Sequence, residues 1–308
     1  DSYHSGEDIS ETLGISRQAL WKHIEKLRDM GYIIEAVPHL GYKLLDVPDK
    51  ILLQEIRYKL GTKIIGKHLE FFESVSSTND KAYALAEGGA AEGTIVIADC
   101  QTKGKGRLGR KWFSPPESGI YLSCILRPGI LPKEVSKITL VAAVSVVKAI
   151  REFSGIQALI KWPNDIILSD RKAGGILTEL KGESDRVDFV ILGIGLNVNA
   201  PRRDLPEGGT SIRAESKSSK DFSRVELIKS LLEGLDAEYA NFKKHGFRSI
   251  CNELKSLSCT LGREVKVTTS DKKSVRGKAV RINNDGALVV RQEGKDVVIL
   301  SGDVSMVR

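Results

Sequence analysis

The segment Gly104-Lys105-Gly106-Arg107-Leu108-Gly109-Arg110-Lys111-Trp112, continued by Phe113-Ser114-Pro115-Pro116, constrains the fold more than any other part of the chain. Its glycines follow the spacing Gly-x-Gly-x-x-Gly, and a strand-like run, Thr94-Ile95-Val96-Ile97-Ala98, precedes them. A dinucleotide-binding unit would add a helix opening at the last glycine and an acidic residue ~20 positions on. Paired prolines cannot continue a helix, so no βαβ unit follows and that fold is excluded. Glycine lets backbone approach a ligand closely, and the planar fork of arginine fits phosphate or carboxylate oxygens. The segment therefore reads as a cationic loop between strands. It is either a cradle for an anion, with an aromatic face close by, or a solvated basic hairpin.

The 308 residues leave room for about two domains, and the net charge of +7 favours anionic partners. Charge alone does not choose among nucleotide, nucleic acid and membrane. Cys100, Cys124, Cys251 and Cys259 show no Cys-x-x-Cys pairing and no metal-like clustering, so inert thiols in a reducing cytosol are expected. No apolar run reaches the ~18 residues of a membrane span, and no signal peptide is visible, so the expected localisation is cytoplasmic. The chain starts at Asp1 rather than Met, so a native N-terminal segment is expected to be missing.

Residues 1–48 read as a helix, a glycine turn at Gly14, a second helix over Arg17–Met30 with Ser16 as N-cap, and two short strands. Leu20, Ile24, Leu27 and Met30 recur at helical spacing and define its buried face. This order is that of a winged helix-turn-helix, here lacking its first helix. Its second helix would present Ser16, Arg17, Gln18, Trp21 and Lys22 to operator DNA. The region as a whole carries more acid than base, and winged helices also serve as protein-interaction modules.

Residues 49–62 read as a linker with a short helix. The main body, 63–255, mixes strands and helices, with long helices expected in Pro132–Phe153 and Phe222–Lys244 and an interior strand over Val187–Leu196. From 256 to 308 short strands follow one another, with Asn284-Asp285-Gly286 as a hairpin turn; a five-stranded SH3-like barrel is the simplest arrangement. The fold class expected for the whole is α+β.

Four further segments of the main body fit with the glycine loop. Ser77-Thr78-Asn79 opens a helix, where these side chains can cap it or hold a small polar ligand. Lys161-Trp162-Pro163-Asn164-Asp165 puts a lysine at a strand end, either solvated or neutralising a carboxylate or phosphate. Arg171-Lys172-Ala173-Gly174-Gly175-Ile176-Leu177 and Gly193-Ile194-Gly195-Leu196-Asn197-Val198-Asn199 place glycines inside apolar strands, where a ligand often approaches closely. Asn197 reads a base edge or merely ends its strand.

In this order the five segments resemble those of biotin protein ligases. With the N-terminal module the chain is similar to the bifunctional bacterial type that also represses the biotin operon. The resemblance covers essentially the whole chain. It implies a central mixed-sheet domain like class II aminoacyl-tRNA synthetase cores. It also implies a two-step reaction: biotin and ATP give biotinyl-5′-adenylate, and the acyl group passes to a lysine of a carboxylase's biotin carboxyl carrier domain, with Mg²⁺ offsetting triphosphate charge. By the same resemblance Ser77, Thr78, Asn79, Gln101, Gly104, Lys105, Gly106, Gly174, Gly175 and Gly193 belong to the biotin site, with Arg107 and Lys161 at its carboxylate. Arg107, Arg110, Trp112, Lys161, Asn164 and Asn197 would hold ATP and the adenylate, and Lys161, Arg107 and Arg110 would be catalytic. No Mg²⁺ ligand is assigned.

The family usually reads Gly-Arg-Gly-Arg where this chain has Gly104-Lys105-Gly106-Arg107. Charge is kept but the planar fork is lost, which predicts faster release of the adenylate, slowed again by Lys105→Arg. Ordering of the loop around the adenylate is expected to favour a homodimer that binds a palindromic operator. The rival readings are a lipoate or octanoate ligase and a biotin-sensing repressor without catalysis.

Overall fold

The computed structural model describes residues 2–217, 221–269 and 273–307. The chain forms two compact units, Asp1–Lys50 and Ile51–Arg308. In the smaller one, α1 (Gly6–Leu13) is capped by Ser5, whose Oγ accepts from Asp8 N, and ends at Gly14 with φ +64°. Ser16 caps α2 (Arg17–Asp29) in the same way, accepting from Ala19 N at 3.1 Å. Leu20 and Ile24 of α2 are buried, and β1 (Ile33–Val37) pairs antiparallel with β2 (Gly41–Asp46) as the wing. His4 exchanges two hydrogen bonds with Tyr42, which brings its carbonyl to 2.0 Å from any Cβ added at Gly41. Only glycine fits there.

The larger unit begins with α3 (Leu53–Arg57), part of the expected linker, whose Ile56 is fully buried. Its centre is a seven-stranded sheet made of β3 (Leu69–Val75), β4 (Ile95–Gln101), β5 (Gly119–Leu126), β6 (Ala158–Lys161), β7 (Asp165–Leu168), β8 (Arg171–Gly182) and β9 (Val187–Asn197). The order is β3-β4-β5-β9-β8-β7-β6, parallel between β3 and β4 and antiparallel elsewhere. One face carries α5 (Val135–Ser154) and α7 (Arg224–His245), with the short α6 (Ile212–Glu215) between sheet and α7 in sequence. Buried between the sheet and a second helix, α5 is apolar nearly all round. The opposite face carries α4 (Thr78–Glu87), a shorter helix that leaves part of the sheet uncovered.

Side chains on β9 alternate between these faces. Val190, Leu192, Ile194 and Leu196 join the main core with α5, whereas Phe189 and Ile191 pack with Ala82 and Ala86 of α4. The next two positions on the α4 face are Gly193 and Gly195. The helix stops covering the sheet where the strand stops presenting side chains.

The expected boundary at 255/256 falls inside α8 (Cys251–Leu257). Beyond it, β10 (Glu264–Thr268), β11 (Ser274–Ile282), β12 (Leu288–Gln292), β13 (Lys295–Ile299) and β14 (Asp303–Met306) form one antiparallel sheet in the order β13-β12-β11-β10-β14. Packing does not break at the expected boundary. Val265, Leu288 and Val304 belong to the same core as α5, and Trp162 Nε1 donates to Gly286 O at 3.0 Å. Asn283 Oδ1 accepts from Asp285 N and Ala287 N, and Gly286 takes φ +77°, which makes the expected hairpin turn.

Candidate active site

The bare strip of β9 is the floor of a cavity of about 620 Å³. Register puts Gly175 of β8 opposite Gly195 and Leu177 opposite Gly193. A Cβ on Gly195 would lie 2.4 Å from Trp112 Nε1, and one on Gly193 would lie 2.1 Å from Asn79 Oδ1. The glycines therefore let an indole and an amide rest directly on sheet backbone. Segment 104–112 arches over this floor. Its backbone is a small hairpin: Trp112 N donates to Gly104 O at 2.8 Å, Gly106 N donates to Arg110 O at 2.6 Å, and Leu108 and Gly109 turn the tip with positive φ. Its side chains are not merely solvated, since Lys105, Arg107, Arg110, Lys111 and Trp112 all line the cavity.

One end of the cavity is neutral. Ser77, Thr78 and Asn79 are buried at the start of α4, yet Ser77 makes no side-chain capping bond. Gln101 Oε1 accepts from Thr78 N at 2.8 Å and from Thr78 Oγ1 at 3.1 Å, and Gln101 Nε2 donates to Ser114 Oγ at 2.9 Å. The buried Ser123 Oγ lies 2.8 Å from Thr78 Oγ1 and 2.6 Å from Asn79 Oδ1. These groups hold one another before any ligand arrives, a preorganised set of donors and acceptors.

The other end is cationic. Asp165 stands between two lysines, 2.5 Å from Lys172 Nζ and 3.5 Å from Lys161 Nζ. The Lys172 ammonium also sits 5.6 Å above the Trp112 ring, a cation–π contact. Arg107, only 20% exposed, donates to Asn164 Oδ1 at 2.9 Å and to Gly302 O at 3.3 Å, and its guanidinium lies 3.9 Å from Asp303. Burial pulls its pKa down, opposed by Asp303 and Asp165. Arg110 pairs with the same Asp303, so the C-terminal sheet holds both arginines of the loop. Trp112 Nε1 is buried against the sheet at Gly195 with no hydrogen-bond partner among the described residues.

Comparison with known proteins gives this architecture its family. The model of the Biotin/lipoate A/B protein ligase family matches residues 71–197, that of an HTH domain residues 1–43, and that of the Biotin protein ligase C terminal domain residues 260–307. The Bifunctional ligase/repressor BirA of Bacillus subtilis is 40% identical over 99% of this chain and 94% of its own length. The protein of the same name from Escherichia coli is 32% identical over 99% and 93%. The chain belongs to the biotin protein ligases. A solved biotin protein ligase from Aquifex aeolicus, in complex with biotin and ATP, superposes with a TM-score of 0.67 at 34% identity, covering 79% of this chain and 99% of that one.

In this ligase the cavity gathers Ser77, Thr78, Asn79, Gln101, Lys105, Gly106, Arg107, Arg110, Trp112, Lys161, Asn164, Gly175, Gly193 and Asn197. Gly104 and Gly174, also expected at the biotin site, do not line the cavity. A Cβ on Gly104 would meet Trp112 O at 2.4 Å, because this glycine closes the base of the hairpin. Gly174 points to the other side of β8, against Gly195 O and Ile166. Asn164 and Asn197 also brace the cavity wall, donating from Nδ2 to Ile176 O and Thr210 O. Sequence reading singled out the segments that hold Lys172 and Gly195 without giving either residue a role, and missed Asp303. Gly195 carried a signal, since it alternates with Gly193 on one strand face; Asp303 carried none, because Arg107 and Arg110 are remote in sequence, and Lys172 meets Asp165 only through the β7–β8 pairing.

In the N-terminal unit Gln18, Trp21 and Lys22 are exposed on α2, as a recognition helix requires. Ser16 Oγ accepts as the N-cap and keeps its O–H as a donor, whereas Arg17 pairs with Glu7 at 2.6 Å. All four cysteines are free, and burial raises the thiol pKa of Cys124, Cys251 and Cys259, which leaves none of those three activated.

Proposed function

We propose that the cavity makes biotinyl-5′-adenylate from biotin and ATP and then transfers biotin to a lysine of a biotin carboxyl carrier domain. The observation that carries this reading is the pairing of a neutral, preorganised end with a cationic end in one cavity. A bicyclic urea needs neutral donors and acceptors, which Ser77, Thr78, Asn79 and Gln101 supply. The carboxylate tail then lies toward Lys172, Lys161 and Arg107. Its oxygen attacks the α-phosphorus, the P–O bond to the β-phosphate breaks, and pyrophosphate leaves. In the second step the carrier's amine attacks the acyl carbon, AMP leaves, and the amine gives up a proton. No protein nucleophile is needed; orientation and charge stabilisation do the catalysis.

Lys172 and Lys161 neutralise the carboxylate–phosphate junction, with Asp165 exchanged for the ligand's oxygens. Arg107 and Arg110 hold the phosphates, and Trp112 packs against the adenylate. Among the described residues no three His, Cys, Asp or Glu cluster to hold a metal, and Asp165 and Asp303 are taken up by cations. Mg²⁺ would therefore enter on the triphosphate, keep mostly water ligands and offset phosphate charge.

We further propose that the N-terminal module binds operator DNA, that adenylate-linked homodimerisation pairs two such modules, and that the protein works in the cytoplasm. No helix of the described residues is long and apolar enough to cross a membrane. Incubation with biotin, Mg-ATP and a carrier domain should biotinylate one lysine, detected by avidin blot and mass. Modification by lipoate and not by biotin would establish the rival ligase. Sedimentation and footprinting with and without the adenylate test the repressor half; no ligand-linked dimer and no footprint would leave a ligase alone.

A further inference from the structure

Beneath the cavity a chain of side-chain contacts runs from one end of the 104–112 hairpin to the other. It starts at Lys105, whose ammonium pairs with Asp80 and lies 3.7 Å from Glu179 Oε1. Glu179 Oε2 accepts from Asn79 Nδ2 at 2.6 Å. Asn79 Oδ1 meets Ser123 Oγ, Ser123 meets Thr78, and Thr78 meets Gln101. Gln101 donates to Ser114 Oγ, which in turn reaches Trp112 O at 3.2 Å. The chain passes through three of the groups assigned to the biotin head, and both its ends hold the loop that covers the ligand.

Among the described residues Glu179 is the one carboxylate that touches both parts. It lies on the cavity face of β8, two residues beyond Leu177, opposite Ile191 of β9 and outside the cavity itself. A carboxylate only accepts, so it forces the Asn79 amide to turn its nitrogen toward Glu179 and its oxygen toward Ser123. One N–H of that amide is then left for a ligand. The second carboxylate oxygen faces the ammonium that anchors the hairpin.

We propose that Glu179 is a positioning residue that couples recognition of the head group to closure of the hairpin, by orienting Asn79 with one oxygen and restraining Lys105 with the other. The proposal rests on the biotin reading above. Occupation of the head-group end stiffens Asn79, which stiffens Glu179 and keeps Lys105 and the hairpin in place over the adenylate. Lys105 makes a single-point clasp shared between Asp80 and Glu179.

Two variants of the full chain separate this role from a merely structural one. Biotin affinity is read by calorimetry without ATP, and retention is read by chasing preformed adenylate. Glu179→Gln should weaken biotin about tenfold, the loss of a charge-assisted hydrogen bond, and speed adenylate release about threefold, the loss of a partly exposed ion pair. Asp80→Asn, which loosens only the clasp, should speed release and, because the coupling is reciprocal, also weaken biotin severalfold; faster release with unchanged biotin affinity would show that the two contacts of Glu179 are independent. If Glu179→Gln moves only one of the two constants, or lowers the thermal midpoint while moving neither, the coupling is wrong. Failure of the unmodified chain to bind biotin at all would instead overturn the functional reading, a result visible before any variant is made.

Discussion

The two ends of the cavity are built on opposite plans. At the neutral end, Thr78, Asn79, Gln101 and Ser123 satisfy one another through hydrogen bonds that need not break when a ligand binds. At the charged end, four of the lining cations are already partnered by carboxylates: Lys161 and Lys172 by Asp165, Arg107 and Arg110 by Asp303. The first end recognises by a fixed pattern; the second recognises by exchange, a phosphate replacing a carboxylate. Preorganised neutral donors give selectivity at little reorganisation, whereas paired cations keep charge from destabilising the empty site. The difference teaches why the ligand's two halves should obey different rules of salt, pH and mutation.

Breaking the charged end should have the largest effect. Lys172→Ala is expected to lower the rate of adenylate formation about a hundred- to thousandfold while biotin affinity, measured by calorimetry, changes far less. A large loss of biotin affinity with an unchanged rate would show that Lys172 belongs to the other end. The next effect strikes the neutral end. Gly193→Ala puts a methyl 2.1 Å from Asn79 Oδ1, closer than any real contact, so the amide or the strand must move. Overpacking of this kind costs about 1–3 kcal/mol, and biotin binding should fall by at least tenfold with ATP affinity nearly kept.

Salt sharpens the contrast without mutation. Raising ionic strength from 0.05 to 0.5 M, chosen to shorten the Debye length from roughly 14 to 4 Å, should weaken ATP severalfold and leave biotin nearly unchanged. Parallel losses for both ligands would abolish the distinction. The smallest effect lies away from the cavity. Burial raises the pKa of Glu92, but hydrogen bonds from Tyr239, Arg127 N and Lys243 outweigh it and hold the carboxyl below the usual glutamate value. A depressed folded value means that stability is full above the ordinary glutamate range and falls as pH drops through the lower value. Glu92→Gln should flatten this acid limb in pH-dependent unfolding and leave both ligand affinities untouched.

Local chemistry made much of this legible in sequence. Ser16 caps its helix, Asn283 and Gly286 shape the last hairpin, and the prolines after Trp112 exclude a dinucleotide helix, all through contacts within a few residues. Gly193 was legible because glycine inside an apolar strand is costly unless something rests on it. Lys172 was not. It follows an arginine at the start of a strand, where a lysine ordinarily meets water; only β7–β8 pairing brings it to Asp165 and only the arching hairpin brings Trp112 beneath it. Glu179 and Asp303 were hidden for the same reason, each meeting its partners across more than seventy residues. The boundary at 255/256 was legible as a change of pattern from helix to short strands, and the packing that continues across it was not.

The pairing of the two ends is tested most directly by isotope exchange between pyrophosphate and ATP. With the full chain, exchange should require biotin, fail with lipoate, and fall to background in both Lys172→Ala and Lys161→Ala. Exchange that proceeds with lipoate and not with biotin, or that survives loss of both lysines, would contradict a cavity divided between a biotin head group and an activated phosphate.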